Sequence, residues 1–272
     1  MRPFLFHFKP SHESILYLFP RTELEMKFKE LDINTTDGEH LCCAIADKKH
    51  QKGVLLKKSW LIERITEGHV FRKLDVRGKV FIEYAPLESA WVPIIGKNYL
   101  YIYCLWVAGS FKAKGYGQEL LQYCIDDANK RRKSGVCVLS SKKKKPFLSD
   151  RGFFLRNGFE VVDSISNEYE LLALSFDSSK CCFQDNARKM CIDDDRLTIF
   201  YSVQCPYTTN SVLEVKSYCD ANGIPLNLIA VDSLEKAKSL PCVFNNWAVF
   251  YKCNFVTNHL LNENLLKKIL FR

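Results

Sequence analysis

Apolar positions recur along this chain with two different periods, and the periods mark out its elements. Residues 117–130 put Leu120, Leu121, Cys124, Ile125 and Ala128 on one stripe, which predicts an amphipathic helix. Residues 56–65 (LKKSWLIERI) have near-helical spacing, and 146–157 reads as a helix closed by Gly158. Residues 69–76 and 79–84 read as two strands around the tight Arg77-Gly78 turn, while 36–38 is a turn or a helix cap. The β-rich run 99–107 (YLYIYCLWV) predicts a strand buried on both faces, and 136–140 and 159–163 are further strands. Later come a strand at 197–203, a helix at 209–221, a strand at 225–231, a hairpin of 248–251 with 255–257, and a helix at 262–271.

The pattern breaks in two places. Residues 1–25 are aromatic, apolar and aperiodic, and Met26 opens a Lys/Glu-rich stretch, so 1–25 is read as a loose extension that need not be native. Residues 177–195 are polar, rich in Ser, Asp and Cys, and read as a linker or docking segment. Two units follow, 26–176 and 196–272, both α/β or α+β, with no repeat connecting them.

Composition changes the picture only in part. At 272 residues, 47% hydrophobic and 26% charged, the chain has ample material for a core. The apolar runs are too short for a transmembrane helix, and the first residues meet a charge and a proline too soon for a signal peptide. Of the net charge of +8, +7 falls in residues 1–180. That asymmetry suits a nucleic acid, a membrane surface or a phosphate-bearing cofactor. Without a secretory signal, the 12 cysteines read as reduced thiols of a cytoplasmic protein. None is paired at C-x-x-C spacing, and no metal site is expected.

The sharpest local feature runs from Leu105 through Val107 to the loop Lys112-Ala113-Lys114-Gly115-Tyr116-Gly117-Gln118 and into a helix. Two glycines two apart allow a tight turn and a close backbone approach to a ligand. The helix start presents unpaired N–H groups and a positive dipole end, with Lys112 and Lys114 alongside. The spacing lacks the third glycine of a dinucleotide fingerprint and the Gly-Lys-Ser/Thr of a P-loop. By itself it is also compatible with a plain turn between strand and helix.

The segment L-x-V-x-x-x-x-K-x-x-G-x-G resembles the acetyl-CoA motif of the GNAT-type N-acetyltransferases, with Lys112 where Gln or Arg is usual. The later strand 136–140, helix, and Asn157-Gly158-Phe159 follow that family's order. More narrowly, EHLCCAI (39–45), RGKVFIEY (77–84), AWVP (90–93) and KPFLSD (145–150) resemble the YoaP-type acetyltransferases, in which a small C-terminal domain follows. The resemblance spans most of residues 35–260. It implies an α+β acyl-CoA N-acyltransferase fold: a mixed central sheet flanked by helices, followed by a small thioredoxin-like α/β domain.

That resemblance implies that 105–107 meet the acetyl and pantetheine groups through backbone amides, while 112–118 wrap the pyrophosphate. Acetyl transfer needs a neutral amine, a polarised carbonyl and a protonated leaving thiolate. Glu83 and Glu88 are the candidate bases, since burial among Phe81, Tyr84 and Trp91 would raise a carboxyl pKa. The bland reading, solvent exposure or structural ion pairs, weighs more for both, and His40 and His69 are further candidates, although a lone histidine is more often structural. Many relatives place a tyrosine where Phe154 stands, so the proton donor would be Tyr103, Tyr116, Ser149 or solvent. The run Lys142–Lys145 reads mostly as a solvated loop, and nucleic-acid binding is not expected because interleaved aromatics are missing.

In the second unit Cys205-Pro206-Tyr207-Thr208 puts a thiol at a helix start, where the dipole lowers its pKa. The order of elements resembles thioredoxin-like folds, with Pro241 as a cis-proline candidate, Thr208 in place of the second cysteine and Cys242 as a possible resolving thiol. Three functions stay open at this point. One is acetyl-CoA-dependent transfer to the amine of a small molecule or peptide. The second is thiol redox chemistry through Cys205. The third is CoA binding without turnover.

Overall fold

The computed structural model describes residues 28–41, 44 and 48–271; the expected extension 1–25 lies outside them. The first unit opens with β1 (Phe28–Glu30), α1 (Gln51–Ile65) and the hairpin β2 (Val70–Leu74) and β3 (Val80–Pro86). It continues through β4 (Ile94–Gly96), β5 (Tyr99–Val107), α2 (Tyr116–Lys130), β6 (Gly135–Ser141), α3 (Arg151–Arg156), β7 (Glu160–Ile165) and β8 (Tyr169–Ser175). Seven of the strands form one sheet in the order β1-β2-β3-β5-β6-β8-β7. Only β5 and β6 pair in parallel, which requires a crossover, and α2 supplies it.

The sheet separates two cores by simple alternation. Val80, Ile82 and Tyr84 of β3 join Leu120, Leu121, Cys124 and Ala128 of α2 on one face. Phe81 and Ala85 join Trp60 and Leu61 of α1 on the other. The Tyr84 hydroxyl donates to the Asp127 carboxylate at 2.8 Å, tying the strand to the helix. The helix expected over 146–157 is shorter: Phe147 adopts a left-handed φ of 63°, and Asp150 caps α3 by accepting from the Phe153 N–H.

Residues 177–195 carry structure of their own. β9 (Cys181–Phe183) pairs with β4, and α4 (Asp185–Arg188) follows. Met190 N–H donates to the Pro241 carbonyl at 3.0 Å and Ile192 N–H to the Cys253 carbonyl at 2.8 Å, stitching this stretch to the second unit.

The second unit comprises β10 (Leu197–Tyr201), α5 (Pro206–Ala221), β11 (Leu226–Ala230), α6 (Leu234–Lys238), β12 (Trp247–Tyr251), β13 (Asn254–Thr257) and α7 (Glu263–Leu270). Its sheet runs β11-β10-β12-β13, with β10 and β11 parallel. No described peptide bond is cis, which corrects the expectation for Pro241; its loop is pinned by the Met190 bond in the trans form.

The two units share one apolar cluster, which runs from Trp60 and Leu139 to Phe244 and Phe250. Tyr169 meets Phe244 edge-on at 4.9 Å. Among the described residues no helix is long and apolar enough to cross a membrane.

Candidate active site

The site begins with a defect in the sheet. β5 pairs with β6 from Tyr99/Gly135 only as far as Ile102/Val138, so residues 103–107 and 139–141 run on without pairing each other. On its other edge β5 stays paired to β3, Leu105 opposite Ile82 and Val107 opposite Val80. The register slips there as well. Glu83 faces Cys104 and Tyr84 faces Ile102, leaving Tyr103 as the extra residue of a bulge. Tyr103 and Cys104 consequently both face the core that holds α1. The two parallel strands diverge into a slot whose one wall is the free backbone edge of 105–107.

The loop at the open end of the slot is shaped for close approach. Gly109–Phe111 forms a 3-10 turn, and Lys112 is extended. Ala113 and Gly115 are left-handed, with φ of 59° and 84°. Gly115 precedes the first turn of α2 and gives it no side-chain cap. The first helical bond runs from Glu119 N–H to the Gly115 carbonyl at 3.1 Å, so the N–H groups of Tyr116, Gly117 and Gln118 come before the helical ladder.

Residues 112–115 and Gln118 are exposed, whereas Tyr116 packs between Phe28 and Phe111. The Gln118 amide donates to the Asn157 side chain at 2.5 Å. Phe111 anchors the loop on the β2–β3 turn, where a Cβ on Gly78 would lie 2.6 Å from its ring. Uncapped amides, a positive helix end, two exposed lysines and an open strand edge together fit an elongated ligand that carries a diphosphate.

The carboxylates depart from expectation. Glu83 sits on β3 beside the bulge, fully buried, and its Oε1 is held by both the Lys57 ammonium and His69 Nε2, the latter at 3.0 Å. Burial by itself would raise its pKa, but the Lys57 charge and the His69 hydrogen bond bring it down to about 2. The raised carboxyl expected of Glu83 is therefore corrected to a permanent anion with both partners in place. Burial also pushes His69 below its ordinary value, against the pull of Glu83, and its ring lies against Trp60 and Tyr103.

Glu88 is exposed, accepts from Asn98 N–H at 2.6 Å and lies 3.7 Å from Lys133. It stands at the closed end of β5, about 20 Å of extended strand away from Cys104. That distance removes it as a base.

The remaining candidates divide: Tyr103 and Ser149 stand at the slot, on the bulge of β5 and against β6 at 139–140, and the others lie elsewhere. His40 is half-buried on the Gly78 carbonyl at 2.9 Å, and burial lowers its pKa. The Tyr103 hydroxyl accepts from Trp91 N–H at 2.6 Å. Ser149 accepts from Ser140 Oγ through its carbonyl at 2.8 Å. Phe154 is buried between Phe153 and Phe159 and donates nothing. Lys142 bonds Asn167 and Lys145 pairs with Glu168 at 2.8 Å, both beside the β7–β8 turn.

Cys205 is half-buried at the N-cap of α5, next to Pro206, which packs on Gly53 at the start of α1. Cys242 is fully buried, its thiol pushed up to about 12. Lys57 is the site residue that the pattern concealed. It lies on the buried stripe with Gly53, Trp60 and Leu61, and a lysine inside an apolar stripe was its only signal.

Residues 38–159 match the acetyltransferase (GNAT) family, and residues 225–268 match the family described as YoaP-like. The chain is 34% identical over 247 residues to the uncharacterized N-acetyltransferase YoaP of Bacillus subtilis (strain 168), covering 90% of this chain and 98% of that one. Among solved structures, a putative GNAT acetyltransferase from Desulfovibrio desulfuricans matches at 15% identity and a TM-score of 0.37, covering 55% of this chain and 98% of that one. The PaiA N-acetyltransferase of Thermoplasma acidophilum, solved with coenzyme A, matches at 14% identity and a TM-score of 0.38, covering 56% and 100%. The chain belongs to the GNAT family of N-acetyltransferases, in the form that carries a YoaP-like region after the acetyltransferase region.

Proposed function

We propose that the protein transfers the acetyl group of acetyl-CoA to the amine of a small molecule or peptide. The observation that carries this reading is the slot where β5 leaves β6, which opens onto the uncapped start of α2. In this reading the amides of 116–118, with Lys112 and Lys114, hold the pyrophosphate, and the free edge of 105–107 aligns the pantetheine arm and acetyl carbonyl. The amine nitrogen attacks the carbonyl carbon, the C–N bond forms and the C–S bond breaks. The amine gives up its proton and the thiolate takes one.

Solvent at the open end serves as proton acceptor and donor. The Glu83 carboxylate is engaged by Lys57 and His69, His69 is buried, and Glu88 stands at the wrong end of the sheet. Glu83 instead fixes α1 against β3 and the bulge. The strand order β11-β10-β12-β13 supports a thioredoxin-like reading of the second unit. Thiol exchange through Cys205 has less support, because the buried Cys242 thiol is poorly placed to resolve a mixed disulfide.

The test is thiol release from acetyl-CoA by the full-length protein with primary amines, combined with mass analysis of the amine. An acetylated amine, formed at a rate that rises with pH as the amine itself loses its proton, is the expected result. Bound acetyl-CoA with no acetylated product would overturn the reading.

A further inference from the structure

The face of the sheet that an amine would approach is already covered. α1 runs into β2 through residues 66–69, and β2 begins opposite Tyr84, so the start of α1 lies toward the open end of the slot. β6 ends there too, leading into the loop 142–150. The second unit grips both of these rims.

On the α1 side, the Asn210 amide donates to the Lys49 carbonyl at 2.5 Å and Glu214 pairs with Lys49 at 2.6 Å. Tyr207 meets His50 edge-on at 4.6 Å, and the Pro206 carbonyl presses on Gly53 so closely that a Cβ there would collide with it. On the loop side, the Asn258 amide donates to the Pro146 carbonyl at 2.8 Å, and Phe147 packs into the second unit's own core. At the closed end of the sheet, Lys238 donates to the carbonyls of Leu87 and Ile94 at 2.8 and 3.0 Å. Contacts on both rims and at the far end describe a fixed wall rather than a tethered neighbour.

One large side chain stays uncovered beside the slot. Trp106 is 45% exposed, and it is the cross-strand partner of Phe81, which stacks on Phe71 in the α1-side core. Cross-strand partners share a face. The indole therefore lies on the approach side, next to the strand edge that would hold the thioester.

We infer that the second unit is the outer wall of the acceptor site, limiting transfer to small primary amines, and that Trp106 is the side chain those amines meet. The inference rests on the acetyl-transfer reading and names its substrate class. A folded or long basic polymer has no face of this sheet on which to lie, whereas a small amine needs only the gap beside an aromatic surface. An indole face favours amines with an apolar or aromatic body and attracts the ammonium form.

The experiment uses the full-length protein, acetyl-CoA and thiol release, with n-butylamine, phenethylamine and spermidine as small amines and polylysine as the polymer. Release with at least one small amine is expected, at a rate per amino group roughly tenfold or more above that with polylysine. Trp106→Ala should raise the KM for phenethylamine about fivefold or more while the affinity for acetyl-CoA holds. Glu214→Lys combined with Asn258→Ala, which loosens both rims, should raise the polylysine rate.

Equal rates on polylysine and the small amines would overturn the inference, as would release with polylysine but with no small amine. No release with any of these amines, or failure to bind acetyl-CoA at all, would instead remove the acetyl-transfer reading, and this inference with it.

Discussion

Two strand-to-helix junctions in this molecule start from the same physics and end differently. β5 leads into α2 and β10 into α5, and each helix presents a positive dipole end at its start. At α2 the preceding residue is a left-handed glycine with nothing within 4 Å of its would-be Cβ, and the loop before it is exposed. At α5 the cap is Cys205, the first residue is a proline that has no N–H to offer, and the Thr208 hydroxyl reaches back to the Ser202 and Cys205 carbonyls at 2.7 Å each. Pro206 then seats on Gly53 of α1. A helix start becomes a ligand site only where its amides stay uncovered. The first junction meets that condition, and the second spends its surface on joining two units.

Substitutions at the paired glycines should separate the two roles. Gly117→Asp places a carboxylate at the start of α2, where its Cβ makes only ordinary contact with Phe153 at 3.6 Å. Acetyl-CoA should bind about 100-fold more weakly, since a like charge a few ångströms from a diphosphate costs several kcal/mol at the surface. The melting curve should barely move. Gly53→Ala should do the reverse. Overpacking against a backbone carbonyl destabilises by about 1–3 kcal/mol, which scanning calorimetry would detect, and acetyl-CoA affinity should hold.

The buried ion pair between the junctions predicts an acid signature. Glu83 takes up its proton near pH 4.5 in the unfolded chain but at about 2 in the folded one. Between those values the unfolded state binds more protons, so stability present above pH 4.5 drains away as the pH falls toward 2. Glu83→Gln should destabilise the protein by about 3–5 kcal/mol at neutral pH, because Lys57 loses its counter-ion, and should flatten that acid slope. Chemical denaturation from pH 7 to pH 3 measures both. The smallest effect belongs to Cys205→Ser, which should change stability by no more than about 0.5 kcal/mol and leave acetyl-CoA affinity alone.

Much of this arrangement is legible in the sequence. The α2 stripe, the run at 99–107 and the glycine loop between them are local patterns, and the structure places each within a residue or two. The helix expected over 146–157 starts later because Phe147 is left-handed and Asp150 sets the start by capping. β8 was missed: Tyr169, Leu171 and Ala173 face one core while Leu172 faces the other, so no alternation separates it from its surroundings. β4 and β9 are three residues each and exist only because they pair with one another.

The bulge at Tyr103 and the register that sets Glu83 opposite Cys104 belong to strand pairing, which single-strand patterns do not carry. For Glu83 the sequence leaves open a raised carboxyl, solvent exposure or a structural ion pair. The structure holds the ion pair, and its Lys57 partner arrives from a helix across the core, which no local pattern announces.

The central claim is that the open junction before α2 holds acetyl-CoA and the closed one before α5 does not. Calorimetric titration of the full-length protein with acetyl-CoA, alongside the Gly117→Asp and Cys205→Ser variants, tests it most directly. Saturable binding to the wild type and to Cys205→Ser, lost in a folded Gly117→Asp, is the predicted result. Undiminished binding to Gly117→Asp, or binding abolished by Cys205→Ser alone, would contradict it.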